Sequence, residues 1–170
     1  MKRSLLLGCG NSRIKKIWVD GKEEWAGELT TLDMNPDCGA DVVWDLEKRP
    51  LPFPDDTFDE LGAFDVLEHQ GKQGDFRGWF DEMAEYWRIL KPGGLFFIIV
   101  PVGEDRFVDP GHTRFIGSNN FGFLNQRNYE LNIEQGKAMT DYRWYWKKNF
   151  EVGYLEQENG HHMHVVLLKA

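Results

Sequence analysis

Apolar runs in this chain are short, and most of them stop at glycine, proline or aspartate. Leu5-Leu6-Leu7 runs into Gly8-Cys9-Gly10-Asn11, and three consecutive leucines suit a strand covered on both faces, as in a parallel sheet. Leu29 to Leu32 is a second strand with Asp33 at its carboxyl end and Pro36 just beyond. A third runs from Ala40 to Trp44 and ends in Asp45. Between Leu46 and Asp56 stand Pro50, Pro52 and Pro54, which exclude a helix and predict an extended crossover. Phe58 to Phe64 is a fourth strand, followed by Asp65-Val66-Leu67-Glu68-His69.

Helical spacing then takes over. Phe76, Trp79, Phe80, Met83, Trp87 and Leu90 fall at steps of three and four, with Asp75 as N-cap and Lys91-Pro92-Gly93-Gly94 as the stop. Leu95 to Pro101 is a fifth, fully buried strand. From Val102 the pattern loosens: Asp109 to Phe115 reads as a loop, and Ser118 caps a short helix through Leu124. Phe150 to Gln157 and Met163 to Lys169 are two strands around the hairpin signal Glu158-Asn159-Gly160. Ile14 to Lys22 divides between a helical turn and a β-like piece ending at Asp20-Gly21. Strands alternating with a helix predict an α/β domain.

In an open parallel sheet ligands bind beyond the carboxyl ends of the strands. Gly8, Gly10, Asp33 and Asp45 all belong to that edge. Two histidines near it, His69 at the helix entry and His112 in the loop, titrate close to neutrality and are candidates for proton transfer; capping or bridging a loop is the competing role. Glu68 reads as an acid favouring a helix N-terminus. Arg114 either pairs with Asp109 or holds an acidic substrate group. His161, His162 and His164 are not expected to bind metal, since strand alternation separates neighbours, and no other metal ligands stand out. Tyr142 to Lys148 mixes aromatic and basic residues and suits a partly buried edge or substrate wall.

Composition narrows the picture. With 170 residues and 41% hydrophobic positions the chain fills one core, so a single domain over 1–170 is expected, with 102–148 as a substrate-side loop or lid. A formal charge of -8 argues against general affinity for nucleic acid or anionic membranes. Two cysteines make no disulfide framework, and a reducing, cytoplasmic setting fits. Three leucines after Met1-Lys2-Arg3-Ser4 are too few for a signal peptide, and no run reaches membrane-spanning length.

Taken in order, the Leu5 to Gly10 turn, Asp33, Asp45, Leu51-Pro52-Phe53-Pro54-Asp55-Asp56-Thr57-Phe58-Asp59, Asp65 to His69 and Arg88-Ile89-Leu90-Lys91-Pro92-Gly93-Gly94 resemble a class I S-adenosylmethionine-dependent methyltransferase of the small type 11 group. The resemblance covers about residues 4 to 101, and Asp109 to Phe115 and the terminal hairpin extend it more loosely. It implies a Rossmann-like, mostly parallel seven-stranded sheet with a C-terminal antiparallel hairpin and helices on both faces. It also implies S-adenosylmethionine as cofactor. Gly8, Cys9 and Gly10 would pass under its methionine and ribose, Asp33 would accept the ribose hydroxyls, and Met34 would lie on the adenine. Asp45 and the Leu46 backbone would meet the adenine edge, and Phe64 and Asp65 would stand nearest the sulfonium. Leu6 replaces an acid common before the first glycine, and Ser12 replaces a third glycine.

The activity so implied is methyl transfer to oxygen or nitrogen of a small or medium acceptor bound under 102–148, with His69, His112 and Asp65 as catalytic candidates. A small-molecule partner is expected, rather than a membrane or nucleic acid. The alternative is a noncatalytic cofactor-binding or partner-binding module of the same fold. A nicotinamide-dependent oxidoreductase would need glycine at Arg13. A nucleic-acid base methyltransferase would need an Asn-Pro-Pro-Tyr-like or Pro-Cys sequence that is not present.

Overall fold

A computed structural model describes residues 1–17, 21, 24–158 and 160–170. In chain order the elements are β1 (Arg3–Leu7), β2 (Glu28–Asp33), β3 (Val42–Val43), β4 (Phe58–Phe64), α1 (Phe76–Ile89), β5 (Leu90–Pro101), α2 (Ser118–Gly122), α3 (Gln126–Glu134), β6 (Phe150–Glu158) and β7 (His162–Lys169). The strands form one seven-stranded sheet in the order β3-β2-β1-β4-β5-β7-β6. β1 to β5 run parallel, while β7 is antiparallel to both β5 and β6.

The leucine run of β1 lies at the centre because it is the strand most able to lose water on both faces: Leu5, Leu6 and Leu7 are all buried. Leu7 is paired in register with Leu32 of β2 and Ala63 of β4, which brings Gly8 level with Asp33 and Phe64. Asp65 emerges one residue further, at the same edge. The chain first builds outward from β1 to β3 and then returns to place β4 on β1's other side, which makes the β1/β4 boundary the switch point of the sheet.

One face of the sheet packs on α1. Asp75 caps this helix by accepting from the Gly78 amide at 3.0 Å, and its buried side includes Trp79, Phe80, Met83, Tyr86 and Ile89. The expected stop at Lys91 to Gly94 corrects to a different structure: the helix ends one residue earlier and these residues belong to β5. Pairing with β4 slips between Phe58/Leu90 and Glu60/Leu95, so Pro92 and the two glycines are absorbed in an irregular, bulged stretch that needs no regular ladder.

The same core takes in much of 102–148. Phe121, Leu124 and Trp146 are buried in it, and the Trp146 indole donates to the Leu124 carbonyl at 2.9 Å. Ser118 opens α2 rather than capping it, since Gly117 precedes it as N-cap. α3 lies where a loop was expected; only Tyr129 of its nine residues is buried, too few for a readable stripe.

On the opposite face a smaller cluster gathers Leu6, Phe64, Phe97, Ile99 and Val166 under Cys9, Ile17 and Trp25. Among the described residues no α-helix covers this face, in contrast to the expected helices on both sides. Lys15 is buried there instead, its ammonium 2.9 Å from Glu60 and 4.2 Å from the Phe97 ring centroid. Of the division expected over Ile14 to Lys22, the part at Trp18 to Asp20 and Lys22 lies outside the described residues, and with it the Asp20-Gly21 turn. Asn159 of the hairpin signal also lies outside them, although β6 and β7 pair from Phe150/Lys169 to Glu158/His162. No helix among the described residues is long and apolar enough to cross a membrane.

Candidate active site

Backbone hydrogen bonds tie the ends of β1, β2 and β3 together. The Cys9 amide donates to the Leu32 carbonyl at 3.1 Å, and the Trp44 amide to the Asp33 carbonyl at 2.9 Å. The Asp33 carboxylate accepts from the Gly10 amide through Oδ2 and from the Asn35 amide through Oδ1, both at 2.8 Å. Each oxygen keeps lone pairs for a further donor. Gly8 has φ +57°, and a Cβ there would stand 2.5 Å from Cγ2 of Val66, so the turn and the β4 loop touch where only glycine fits.

A cavity of about 270 Å³ opens at this edge. Gly8, Asp33 and Met34 line it from one side, Trp44 and Leu46 from another, and Asp65, Val66, His69 and Gln70 from the loop after β4. Met34 presents an exposed thioether on this wall. Asp45 flanks the cavity between Trp44 and Leu46, and its Oδ1 accepts from the Glu47 amide at 2.9 Å. Two of the expected contacts are placed otherwise. Cys9 buries its side chain against the second core, with Sγ donating to the Gly10 carbonyl at 3.4 Å and lying within 4.8 Å of the Asp33 carboxylate and Cys38 Sγ. Phe64, 7% exposed, points the same way and stacks on Trp25 at 6.2 Å, because it shares the face of Glu60 and Gly62.

Past β4 the backbone turns sharply at Asp65, which has φ +59°, and Leu67–His69 form one 3-10 turn. Asp65 Oδ2 accepts from Lys16 Nζ at 3.1 Å, and its Oδ1 lies 3.4 Å from Nε2 of His162. The turn buries Glu68, whose side chain is 3% exposed. Neither of its carboxylate oxygens has a hydrogen-bond partner in another of the described residues. Burial pushes its pKa up to about 7; the Asp65 charge adds to this, while its own backbone N–H, His112 and Arg114 oppose it.

His69 and His112, 43 residues apart in sequence, meet around this carboxylate with ring centroids 4.7 Å apart. Glu68 Oε1 lies 4.0 Å from His69 Nε2 and 3.8 Å from His112 Nε2. The loop holding His112 is fastened to the β4 turn, since the Thr113 and Arg114 amides both donate to the Glu68 carbonyl. Arg114 does not pair with Asp109 as one sequence reading had it. Its Nε donates to the Leu67 carbonyl at 2.9 Å and its Nη2 to the buried Glu82 carboxylate at 2.5 Å, while Asp109 accepts from the Gly111 amide. His161 pairs with Asp105, and the C-terminal histidines form no ligand-spaced group among the described residues.

The comparisons with known proteins fit this edge. The family model described as "Methyltransferase domain" matches residues 5–98, which span the glycine turn, Asp33, Asp65 and His69. The chain belongs to the methyltransferase-domain family. This is a family of class I S-adenosylmethionine-dependent methyltransferases, and S-adenosylmethionine is its cofactor. A Mycolicibacterium smegmatis protein named as a probable S-adenosylmethionine-dependent methyltransferase is 36% identical over 70 residues, covering 38% of this chain and 25% of that one. The match thus spans a quarter of the curated relative's length. Among solved structures, an S-adenosylmethionine-dependent methyltransferase from Archaeoglobus fulgidus has TM-score 0.59 at 15% identity, covering 99% of this chain and 86% of the other. One from Aquifex aeolicus has TM-score 0.54 at 15% identity, with 99% and 82% covered. The [4+2]-cyclase SpnF reaches 0.58 at 15% identity, with 99% and 74% covered, so this chain shares its fold with an enzyme named for another reaction.

Sequence reasoning found Gly8, Asp33, Met34, Leu46, Asp65 and His69 on the cavity, and missed Trp44, Val66 and Gln70. It also reads Glu68 only as an acid favouring a helix N-terminus. An acid between Leu67 and His69 carries no signal of burial; only the 3-10 turn, which sends Glu68 inward, reveals it.

Proposed function

We propose that this chain transfers a methyl group from S-adenosylmethionine to an oxygen or nitrogen of a small or medium-sized acceptor. The observation that carries the reading is that Gly8, Asp33 and His69, from three separate segments, line one cavity at the switch point of the sheet. The cavity fits the cofactor on its own chemistry. Asp33 has lone pairs to spare for a pair of hydroxyls, Met34 and Leu46 offer an apolar bed for a flat ring, and a Cβ at Gly10 would meet nothing within 4 Å. Bound there, S-adenosylmethionine would supply a methyl group activated by its sulfonium, to which an acceptor oxygen or nitrogen could bond in line as the carbon–sulfur bond breaks and S-adenosylhomocysteine leaves.

The chain's own residues do the rest. Gly8 to Gly10 and Asp33 would fix the cofactor, with Cys9 contributing backbone; Asp45 would meet the far edge of its ring, and Phe64 would hold the β4 end from behind. Asp65 and His69 stand at the inner end, where the acceptor arrives. Positioning supplies most of the acceleration in such a displacement. The acceptor's proton would pass to Nε2 of His69 or His112. A second cavity, about 190 Å³, lies between the start of α1 and the 102–148 segment, walled by Phe76, Trp79, Phe123 and Tyr142. The buried Trp79 Nε1 has no hydrogen-bond partner among the described residues, which supports this cavity as a seat for the acceptor. In this reading residues 1–170 act as one domain, 102–148 covers the acceptor, and the two free cysteines suit a cytoplasmic setting.

A noncatalytic module has one observation in its favour: Leu6, standing where an acid is common, is packed in the second core and offers the cofactor no polar group. Calorimetric titration with S-adenosylmethionine, S-adenosylhomocysteine and NAD separates the cases. Saturable binding of the first two, followed by label transfer from methyl-labelled cofactor in an acceptor screen, supports the transferase. Binding without transfer across all acceptors supports the module, and binding of NAD alone removes both.

A further inference from the structure

We propose that Glu68, His69 and His112 bind a divalent transition-metal cation, with Zn²⁺ as the best match, through one carboxylate oxygen and the two Nε2 atoms. The argument begins with the tautomers. Nδ1 of His69 lies 3.2 Å from the Gly111 carbonyl, and Nδ1 of His112 lies 2.9 Å from the Arg106 carbonyl. A carbonyl can only accept, so both Nδ1 atoms carry the proton. In the neutral rings each Nε2 is then a bare lone pair, and both face Glu68 Oε1, at 4.0 and 3.8 Å.

Three acceptors thus converge with no donor among them. Glu68 has no hydrogen-bond partner in another of the described residues, and the guanidinium that acts on its charge, Arg114, is committed to Leu67 and Glu82. Leaving a buried carboxylate opposite two lone pairs is costly unless a proton or a cation stands between them, and a cation can satisfy all three acceptors at once. The outer hydrogen bonds match those of metal-binding histidines, in which the second ring nitrogen donates to a backbone carbonyl and fixes the ring.

Spacing and donor type agree. The three ligand atoms all lie within 4.8 Å of one another. Bonds of about 2.0–2.2 Å require tetrahedral ligands about 3.4 Å apart, so both the His69 and His112 rings would have to close slightly on Glu68 from 4.0 and 3.8 Å. Two imidazoles and one carboxylate select a transition metal over magnesium or calcium. Three protein ligands leave a coordination position open, and His69 brings it to the wall of the cofactor cavity. The cation's use there rests on the proposed transfer reading: it would polarise an acceptor oxygen and lower its pKa, making the histidines ligands rather than bases. The binding itself does not depend on that reading.

Titration of the metal-free 170-residue chain with Zn²⁺, and with Co²⁺ read by its visible spectrum, tests the site. One equivalent should bind, the Co²⁺ spectrum should lack thiolate charge transfer, and Zn²⁺ should raise the melting temperature. Glu68→Gln and His112→Ala, shown folded by circular dichroism, should each weaken binding at least about tenfold. A Cys9→Ser/Cys38→Ser variant should bind as the parent does, which separates this site from the second ligand-spaced group, Cys9, Asp33 and Cys38. No saturable binding, binding unchanged in Glu68→Gln, or a thiolate band lost with the cysteines would each overturn the proposal. Titrating S-adenosylmethionine in parallel keeps the two readings apart: cofactor binding without metal sinks only the metal site, and metal binding without cofactor sinks only the transferase.

Discussion

The Gly10 amide donates to Oδ2 of Asp33 at 2.8 Å, so the acid at the end of β2 holds the glycine turn at the end of β1. Asp33 therefore has two tasks, shaping the turn and offering its remaining lone pairs to a ligand. Asp33→Ala should abolish measurable S-adenosylmethionine binding, and should also lower stability by about 2 kcal/mol through the loss of two charge-assisted hydrogen bonds. Asp33→Asn, which keeps one acceptor oxygen, should fall between. Calorimetry and urea melts on the same samples check both effects, and unchanged affinity in Asp33→Ala would remove the residue from the cofactor site.

Gly8 and Gly10 both have positive φ, yet they should respond differently to alanine. At Gly8 the new Cβ would stand 2.5 Å from Val66 Cγ2, whereas at Gly10 it would meet nothing within 4 Å. Gly10→Ala should cost about 1 kcal/mol for the left-handed backbone alone and weaken cofactor binding where the methyl enters the approach path. Gly8→Ala should cost clearly more, and Val66→Ala in the same chain should restore part of the loss. Denaturant melts of the two singles and the double variant read this; equal costs at the two glycines would refute the contact.

The contrast between what was readable and what was not has a physical cause. Phe58 to Phe64 is legible as a strand to the residue, because Phe58, Leu61, Ala63 and Phe64 fall between Thr57 and Asp65 with no proline among them, even though Asp59, Glu60 and Gly62 interrupt the apolar positions. The sequence also identifies His69 and His112 separately, each from its chemistry. That they meet depends on the 109–115 loop folding back on Glu68, a contact that no local pattern encodes. The resemblance puts Phe64 near the sulfonium; which face of the sheet it takes is decided by strand alternation and by Trp25. α3 escaped notice because a helix that buries one residue in nine shows no stripe, and Pro92 in β5 because irregular pairing tolerates it.

Asp41 should make the sheet edge sensitive to acid. Its Oδ2 accepts from the Thr31 hydroxyl at 2.7 Å and the Thr31 amide at 2.8 Å, tying the turn before β3 to β2. Those hydrogen bonds hold its pKa below the usual carboxylate value. A depressed folded-state pKa stabilises above the unfolded pKa and ceases to do so as pH falls through the folded one, so the contribution should disappear below about pH 4. Asp41→Asn should cost about 1 kcal/mol near neutrality and flatten this part of the acid limb. Urea melts from pH 3 to 7, on about that range of carboxylate titration, would show parallel curves if Asp41 had no such role.

Arg114 is the residue whose loss should spread furthest. Its guanidinium answers the buried Glu82 carboxylate at 2.5 Å and the Leu67 carbonyl at 2.9 Å, while its amide donates to the Glu68 carbonyl. Burial pushes the Glu82 pKa up, opposed by Arg114 and Arg49. Arg114→Met should strand that carboxylate and cost about 3–5 kcal/mol. Replacing both partners, as Arg114→Met with Glu82→Leu, should recover much of the stability, because a well-packed apolar pair can stand in for a buried ion pair. Function should not return with it. The guanidinium also clamps the 109–115 loop against the Leu67–His69 turn, so the stable double variant should hold His112 less firmly against Glu68. Zn²⁺ affinity and methyl transfer are the readouts, and full recovery of both in the double variant would show that Arg114 serves the fold alone.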